Sequence, residues 1–274
     1  MTIESHTQTI ENIRAKKDKD TASDPLHWLN LVGLFWLEEG DNTFGSAETN
    51  NIVLPAFPHA ECGSVHFNNG TVTLKPAKEI TVTFNGGHPF EPRTLRNDRD
   101  KAPDLMEIGS ITIKVIIRGN STLLRVWDKE SQAGKDFKGF NYFPIDSAYR
   151  ITAKYVAYDP PKPTKTLDVI GNEGDGVFLG QAQFTLNGMN CTLEAEKSGD
   201  NILFHFDDKT KADSTYGGGR NFSVPMPQTD EIILDFNLAK NWPCAYTPYA
   251  TCPVTPKENH LPVRIEAGEK RYHD

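Results

Sequence analysis

Glycine and proline are spread along the whole chain at a density that excludes an architecture of long helices. The 274 residues include 21 glycines and 18 prolines, about one of the two in every seven residues. Both residue types interrupt helices, whereas short strands joined by turns tolerate this spacing. Hydrophobic residues make up 37% and charged residues 24% of the chain, as in a globular protein rather than a disordered one. The composition therefore predicts a globular protein rich in short strands.

Alternating apolar and polar residues from residue 43 onward predict antiparallel strands separated by tight turns. The clearest turn signals are Asn68-Asn69-Gly70 and Asn187-Gly188, because Asn-Gly pairs favour two-residue hairpins. Residues 118–121 predict a third hairpin. Residues 3–20 fit an amphipathic helix, and Ser23-Asp24-Pro25 resembles the start of a second one. We predict an all-β fold of mainly antiparallel sandwich or barrel units with an N-terminal helical segment.

The same patterns divide the chain into four parts. They are a helical segment at 1–29, a β-sandwich-like unit at 30–127, a connecting loop at 128–143 and an antiparallel β unit at 144–274. The last part contains a loop-rich segment that begins near residue 204. The two β units can also pack as one compact domain.

The net charge and the hydropathy of the chain limit the kinds of partner and the cellular location that we expect. The net charge is −8 and the pI is about 5.5, which argues against nucleic acid as a partner. No apolar run approaches the length of a membrane span, and the polar N-terminal residues lack the apolar core of a signal peptide. A cytoplasmic protein is therefore expected. No metal-ligand spacing or cofactor motif is present, so we predict neither a metal nor a cofactor.

Two cysteines lie close together in the loop-rich segment. Cys244 and Cys252 can form a disulfide in an oxidising compartment or remain thiols in the cytosol. Cys244 with His260 and Asn259 also has the residue types of a thiol enzyme, although partners of that kind are defined by space and not by sequence. The alternative is that each cysteine is a small buried apolar residue.

A glycine-rich turn precedes an arginine at Tyr216-Gly217-Gly218-Gly219-Arg220. Exposed backbone amides beside a guanidinium suit a carboxylate or a phosphate. We therefore predict that Tyr216, Gly217, Gly219 and Arg220 bind a ligand. The alternative is that Arg220 forms a structural salt bridge with Asp207, Asp208 or Asp235.

Two polar residues alternate in a predicted strand, Asp235 and Asn237, with Phe236 between them. A period of two places both polar side chains on one face, where a carboxylate and an amide can serve as base and orienting group. We predict that these two residues are catalytic. The alternative is that they hold the following proline-rich loop by hydrogen bonds.

The loop-rich segment resembles a widespread microbial family that is known only as a domain of unknown function. The resemblance rests on a set of short motifs: Thr215 to Arg220, Leu234 to Asn237, Pro243 to Ala245, Cys252-Pro253, Asn259 to Pro262 and Ala267 to Glu269. It implies a family and a length, and it implies no substrate.

Residues 37–84 also resemble forkhead-associated domains, which are β-sandwiches that bind phosphothreonine. The matching residues are Leu37 to Gly40, Phe44-Gly45, Asn51 to Pro55, His59 and Val65-His66. Ser46 stands in place of the arginine that binds phosphothreonine in those domains, so the resemblance implies the sandwich and not the activity.

Taken together, these residues predict a pocket in the C-terminal half, built by Tyr216, Arg220, Asp235, Asn237 and the loop that carries Cys244 and Cys252. We expect it to bind a small anionic molecule, with Cys244 and Asn259 among the ligand contacts, or to act as a hydrolytic enzyme. The alternative is a protein-interaction module built on the forkhead-associated-like sandwich without its phosphothreonine-binding residues.

Overall fold

One long helix precedes a succession of short strands in the computed structural model, which describes residues 3–273. The helix, α1 (Ile3–Ser23), is longer than the predicted segment 3–20. Ile10 is buried, whereas Ile3 and Ile13 are exposed. The second predicted helix start is wrong, because Asp24 and Pro25 lie in a turn before a short 3₁₀ helix, Trp28–Asn30, which His27 caps.

The chain forms two compact units, and α1 belongs to the unit made by the C-terminal part of the sequence. One unit combines the helix up to Thr21 with the chain from Lys138 onward, and the other comprises Ala22–Phe137. The first unit is therefore built from two segments that are distant in sequence.

The unit at Ala22–Phe137 contains a six-stranded sheet and a four-stranded sheet. The six-stranded sheet has the order β1-β10-β9-β8-β6-β7, and the smaller sheet has the order β3-β2-β4-β5. All pairs are antiparallel except β2 with β3. The elements are β1 (Leu31–Trp36), β2 (Gly40–Gly45), β3 (Ile52–Val53), β4 (Gly63–Asn68), β5 (Thr71–Pro76), β6 (Thr83–Phe84), β7 (His88–Pro89), β8 (Leu105–Ile108), β9 (Ile111–Arg118), β10 (Ser121–Asp128) and α2 (Gln132–Lys135).

The C-terminal unit is built on one seven-stranded sheet with the order β16-β11-β12-β13-β14-β15-β17. Every pair in this sheet is antiparallel. Its strands are β11 (Arg150–Leu167), β12 (Glu173–Leu186), β13 (Met189–Ser198), β14 (Asn201–Phe206), β15 (Arg220–Pro225), β16 (Glu231–Asp235) and β17 (Lys240–Asn241). The mainly antiparallel all-β class with an N-terminal helical segment is thus confirmed.

The predicted hairpins form at the expected residues. Asn187 and Gly188 join β12 to β13 with φ angles of 52° and 76°, and Asn69 and Gly70 join β4 to β5 with φ angles of 44° and 84°. These left-handed conformations are those that a type I′ turn requires.

Phe206 of β14 and Phe222 of β15 pack with Phe236, which follows β16, in the core of the C-terminal unit. The ring of Phe236 meets the rings of Phe206 and Phe222 edge to face, at centroid distances of 5.3 and 5.2 Å. All three are almost completely buried. The chain segments on either side of Phe206 and Phe236 are consequently fixed in place, and these segments carry the residues of the candidate site.

Candidate functional site

Arg220 lies inside the C-terminal unit and not at a ligand-accessible surface. Its residue exposure is 1%, and its guanidinium donates to Asp208 Oδ2 at 2.7 Å, to the Ile265 carbonyl at 2.9 Å and to the Glu269 carbonyl at 3.3 Å. It also donates to the carbonyl of Ala267. The prediction that Arg220 binds a ligand is therefore corrected, because protein groups accept from both terminal nitrogens of its guanidinium. The alternative, a structural salt bridge, describes the contact with Asp208.

Gly219 is also structural. Its φ angle is +84°, and a Cβ atom built there would lie 2.4 Å from Thr255 Oγ1 and 2.6 Å from the Phe206 carbonyl oxygen. A glycine is therefore needed at this position so that β15 can begin close to β14. The predicted ligand contact at this buried residue is corrected accordingly.

Asp235 and Asn237 do meet, but in a different way from the predicted strand face. The strand β16 ends at Asp235, and residues 236–238 form a 3₁₀ turn, so the period of two stops there. Asn237 Nδ2 donates to Asp235 Oδ1 at 3.0 Å and to the Asp146 carbonyl at 2.9 Å, while Asn237 Oδ1 accepts from the Asp146 amide at 3.1 Å. The side chain of Asn237 thus holds Asp146, which lies 91 positions earlier in the chain, and not the following proline-rich loop that the alternative named.

The second carboxylate oxygen of Asp235 holds the helix α1. His6 Nε2 donates to Asp235 Oδ2 at 2.6 Å, and both side chains are buried. His6 and Asp146 therefore occupy polar atoms of Asp235 and Asn237 that a substrate would need, which favours a structural role, and the catalytic role of the pair stays a prediction.

Asn259 is likewise enclosed by the protein. Its side chain accepts from the Glu194 amide at 2.7 Å and donates to the carbonyls of Glu194 and His205 at 3.0 and 2.8 Å. Because the residue has no exposed surface, it joins β13 to β14 and does not contact a ligand.

Three of the predicted ligand residues, Tyr216, Gly217 and Cys244, line one cavity of about 240 Å³. Asp207 and Lys211 also line it, and neither is predicted from the sequence to contact a ligand. Val169 lines it from the connection between β11 and β12. The remaining lining residues come from the glycine turn and from the loop between Trp242 and His260: Gly218, Trp242, Cys252, Pro253, Val254, Thr255 and His260. We refer to this space as the glycine-turn cavity.

A histidine–carboxylate pair lies on the wall of the glycine-turn cavity. His260 Nδ1 donates to Asp207 Oδ2 at 2.7 Å, and Lys211 Nζ donates to the same oxygen at 2.9 Å. Asp207 is buried, whereas 46% of the His260 side chain is exposed. Hydrogen bonds from the Asp207 amide to the Asn259 carbonyl and from the Leu261 amide to the Asp207 carbonyl align the two segments. The pair therefore has a fixed carboxylate and an accessible imidazole.

Other residues that line the cavity offer hydrogen-bond donors. The tyrosine hydroxyl stays protonated at neutral pH, because burial, followed by the nearby Cys244 and Cys252, raises the pKa of Tyr216 to about 12. Gly217 and Gly218 are exposed, and within residues 3–273 no backbone carbonyl accepts from the amide of either. The two cysteines are not joined in a disulfide, and the Cys244 amide lies 3.2 Å from Cys252 Sγ.

A second histidine, His205, contacts the glycine turn from the interior of the protein. His205 Nε2 lies 2.8 Å from Thr255 Oγ1 and 3.4 Å from the Gly218 carbonyl, and Thr255 Oγ1 donates to that carbonyl at 3.1 Å. A proton on Nε2 satisfies these contacts. His205 Nδ1 is buried and has no hydrogen-bond partner among residues 3–273. The imidazole is therefore neutral and enclosed.

Protonation of His205 is expected to destabilise the protein in acid. Burial lowers the pKa of His205 to about 4, below its ordinary value of 6.5. The unfolded chain binds the proton more readily, so the stabilising contribution is complete above pH 6.5 and is lost as the pH falls toward 4. Between about pH 7.5 and about pH 4.5, the difference in unfolding free energy between wild type and His205→Gln should shrink by about 2–3 kcal/mol. Urea unfolding at each pH measures this, and parallel pH profiles would contradict it.

The region that contains this cavity is also the region that resembles known proteins. Residues 135–270 match the family described as a protein of unknown function, DUF1684. Every residue that lines the glycine-turn cavity lies within this DUF1684 match, whereas α1 lies outside it. The domain-of-unknown-function family expected from the sequence is thus supported, while the resemblance to forkhead-associated domains stays a prediction.

Among the solved structures that match this sequence, one is similar over half of the chain. It is the solution NMR structure of an uncharacterised protein of Haloarcula marismortui, with 30% sequence identity and a TM-score of 0.42. The match spans 50% of the present chain and 78% of the Haloarcula chain. No curated protein matches the sequence. Among residues 3–273 no group of three or more His, Cys, Asp or Glu side chains is arranged to hold a metal ion. In the same range, no helix is both long and apolar enough to cross a membrane.

Proposed function

We propose that the protein is a hydrolase of small anionic esters and that the glycine-turn cavity is its active site. The observation that carries this proposal is the 2.7 Å contact between His260 Nδ1 and Asp207 Oδ2 on the cavity wall. The carboxylate fixes the ring and its tautomer, so that Nε2 is left to accept a proton. His260 is thereby the general base, and Asp207 is the residue that positions it.

The anionic group of the substrate is bound by the positive and amide-rich part of the cavity. Lys211 supplies a positive charge at the wall, and the amides of Gly217 and Gly218 supply hydrogen-bond donors nearby. Backbone amides and an ammonium group together suit a carboxylate or a phosphate. This retains the anion-binding role expected for the glycine turn but replaces Arg220 with Lys211 as the cation.

The reaction itself needs one proton acceptor and one donor to the carbonyl oxygen. His260 Nε2 takes a proton from the attacking water as its oxygen bonds to the ester carbon, and the Tyr216 hydroxyl donates to the oxyanion that forms. When the intermediate collapses, the bond to the leaving alcohol breaks and His260 returns the proton to it. The products are a carboxylic acid and an alcohol, and the enzyme is unchanged.

A pair of chromogenic esters tests the proposal. The anionic ester mono(4-nitrophenyl) succinate should be hydrolysed with a lower KM than the neutral 4-nitrophenyl acetate. Lys211→Gln should raise the KM for the anionic ester about tenfold more than the KM for the neutral ester. A change common to both esters would report the loss of the hydrogen bond from Lys211 to Asp207. Lys209→Gln is the matched control, because Lys209 is exposed on the same short turn but lies outside the cavity. Equal KM values for the two esters in wild type would argue against an anion-binding role.

A further inference from the structure

A second cavity lies in the same unit, under the helix α1. Its volume is about 370 Å³, and it is lined on one side by Arg14 and Lys17 of the helix and on the other by Tyr142, Phe222, Leu238 and Lys240. It shares no lining residue with the glycine-turn cavity. We refer to it as the helix cavity.

The one acidic residue that lines the helix cavity is already neutralised. The Glu269 carboxylate accepts from Lys17 Nζ, from the Asn241 amide at 2.8 Å and from the Tyr246 hydroxyl at 2.7 Å. Glu269 is almost completely buried. Lys17 and Glu269 therefore cancel each other, and the remaining charges at the cavity wall are those of Arg14 and Lys240.

Arg14 is a cation that contacts neutral acceptors. Its guanidinium donates to the carbonyls of Phe143 and Asn237 at 2.9 and 3.4 Å and lies 4.5 Å from the centre of the Tyr142 ring. Arg14 Nε is buried without a hydrogen-bond partner among the described residues. Asp235, which acts on Arg14 from a longer distance, is already paired with His6. A partly buried guanidinium that has an unused donor is stabilised when an anion enters beside it.

The rest of the wall determines what kind of anion fits. Ile13 and Leu238 contribute accessible apolar surface, and Lys240 is exposed at the edge. An inorganic ion would leave this apolar surface in contact with water, whereas a carboxylate with a short hydrocarbon chain would cover it. We propose that the helix cavity binds a small aliphatic carboxylate, whose head is attracted by the guanidinium of Arg14 and the ammonium of Lys240.

Calorimetric titration with hexanoate and with its neutral analogue hexanamide tests this site. Hexanoate should bind wild type at least about tenfold more tightly than hexanamide, and Lys240→Glu and Arg14→Gln should each weaken hexanoate binding by about tenfold or more. Lys16→Gln is the matched control, because Lys16 is exposed on α1 and does not line the cavity. Circular dichroism checks that each variant is folded.

The same titration separates this site from the proposed hydrolytic one. His260→Ala should bind hexanoate like wild type, since His260 lines the other cavity. The proposal is overturned if hexanamide binds as tightly as hexanoate, if hexanoate does not bind, or if Lys240→Glu and Arg14→Gln both bind it like wild type. It is also overturned if His260→Ala loses the binding and Lys240→Glu keeps it, because hexanoate would then occupy the glycine-turn cavity.

Discussion

Replacing His260 with alanine is expected to lower kcat for mono(4-nitrophenyl) succinate by about 10²–10⁴-fold. The loss follows from the removal of the imidazole that takes the proton from water, while Lys211 and the glycine turn continue to bind the substrate. The KM should therefore change little. Release of 4-nitrophenolate, followed over a range of substrate concentrations, separates the two parameters.

The matched control for this variant is another histidine that pairs with an aspartate. His66 Nδ1 lies 2.8 Å from Asp41 Oδ1 on an exposed part of the other unit. His66→Ala should hydrolyse the ester at the wild-type rate. If His260→Ala and His66→Ala have the same kcat, then His260 is not the general base and the proposed mechanism fails.

Replacing Arg220 with alanine is expected to destabilise the protein by about 3–5 kcal/mol. The substitution leaves Asp208 as a buried carboxylate without its cation, and it removes the donor to the carbonyls of Ile265, Ala267 and Glu269. Those carbonyls belong to the C-terminal segment that packs beside β15. Urea unfolding followed by circular dichroism measures the change, provided that the slope of the transition is unchanged.

A surface ion pair provides the comparison. Arg264 Nη1 lies 2.9 Å from Asp213 Oδ2, and both side chains are exposed. Arg264→Ala should therefore unfold at nearly the wild-type urea concentration, since exposed pairs contribute little. If Arg220→Ala is as stable as Arg264→Ala and loses the binding of anionic ligands, then Arg220 is a ligand residue and the structural role assigned to it is incorrect.

The hairpins and the fold class are predictable from local sequence. The predictions that failed concern elements whose structure depends on contacts between distant parts of the chain. Asn187-Gly188 specifies its turn by itself, because the required φ angles depend on these two residues. By contrast, the prolines at 160, 161 and 163 are typical of the end of a strand, yet β11 continues to Leu167 with a register shift between Ala157 and Lys162. The long partner strand β12 keeps the chain extended there.

The pocket predicted from the sequence and the glycine-turn cavity lie in the same segment but share only some side chains. Tyr216, Gly217 and Cys244 line the cavity, whereas Arg220 and Asp235 are turned into the protein. The sequence shows two adjacent aspartates, Asp207 and Asp208, and gives no means of telling which one faces the arginine. The chain is still extended just after β14, and consecutive residues of an extended chain point in opposite directions. Asp208 therefore faces Arg220, and Asp207 faces the cavity.

The docking of α1 also has a consequence for the order in which the protein becomes complete during synthesis. His6 is made before its partner Asp235, which lies 229 positions later in the chain. At a synthesis rate of roughly 5–20 residues per second, the helix waits about 10–50 seconds before its binding surface exists. During that interval, its buried face has no native partner, and the residues between Ala22 and Phe137 have time to form their own unit first. The helix cavity therefore forms late, after most of the chain has been made.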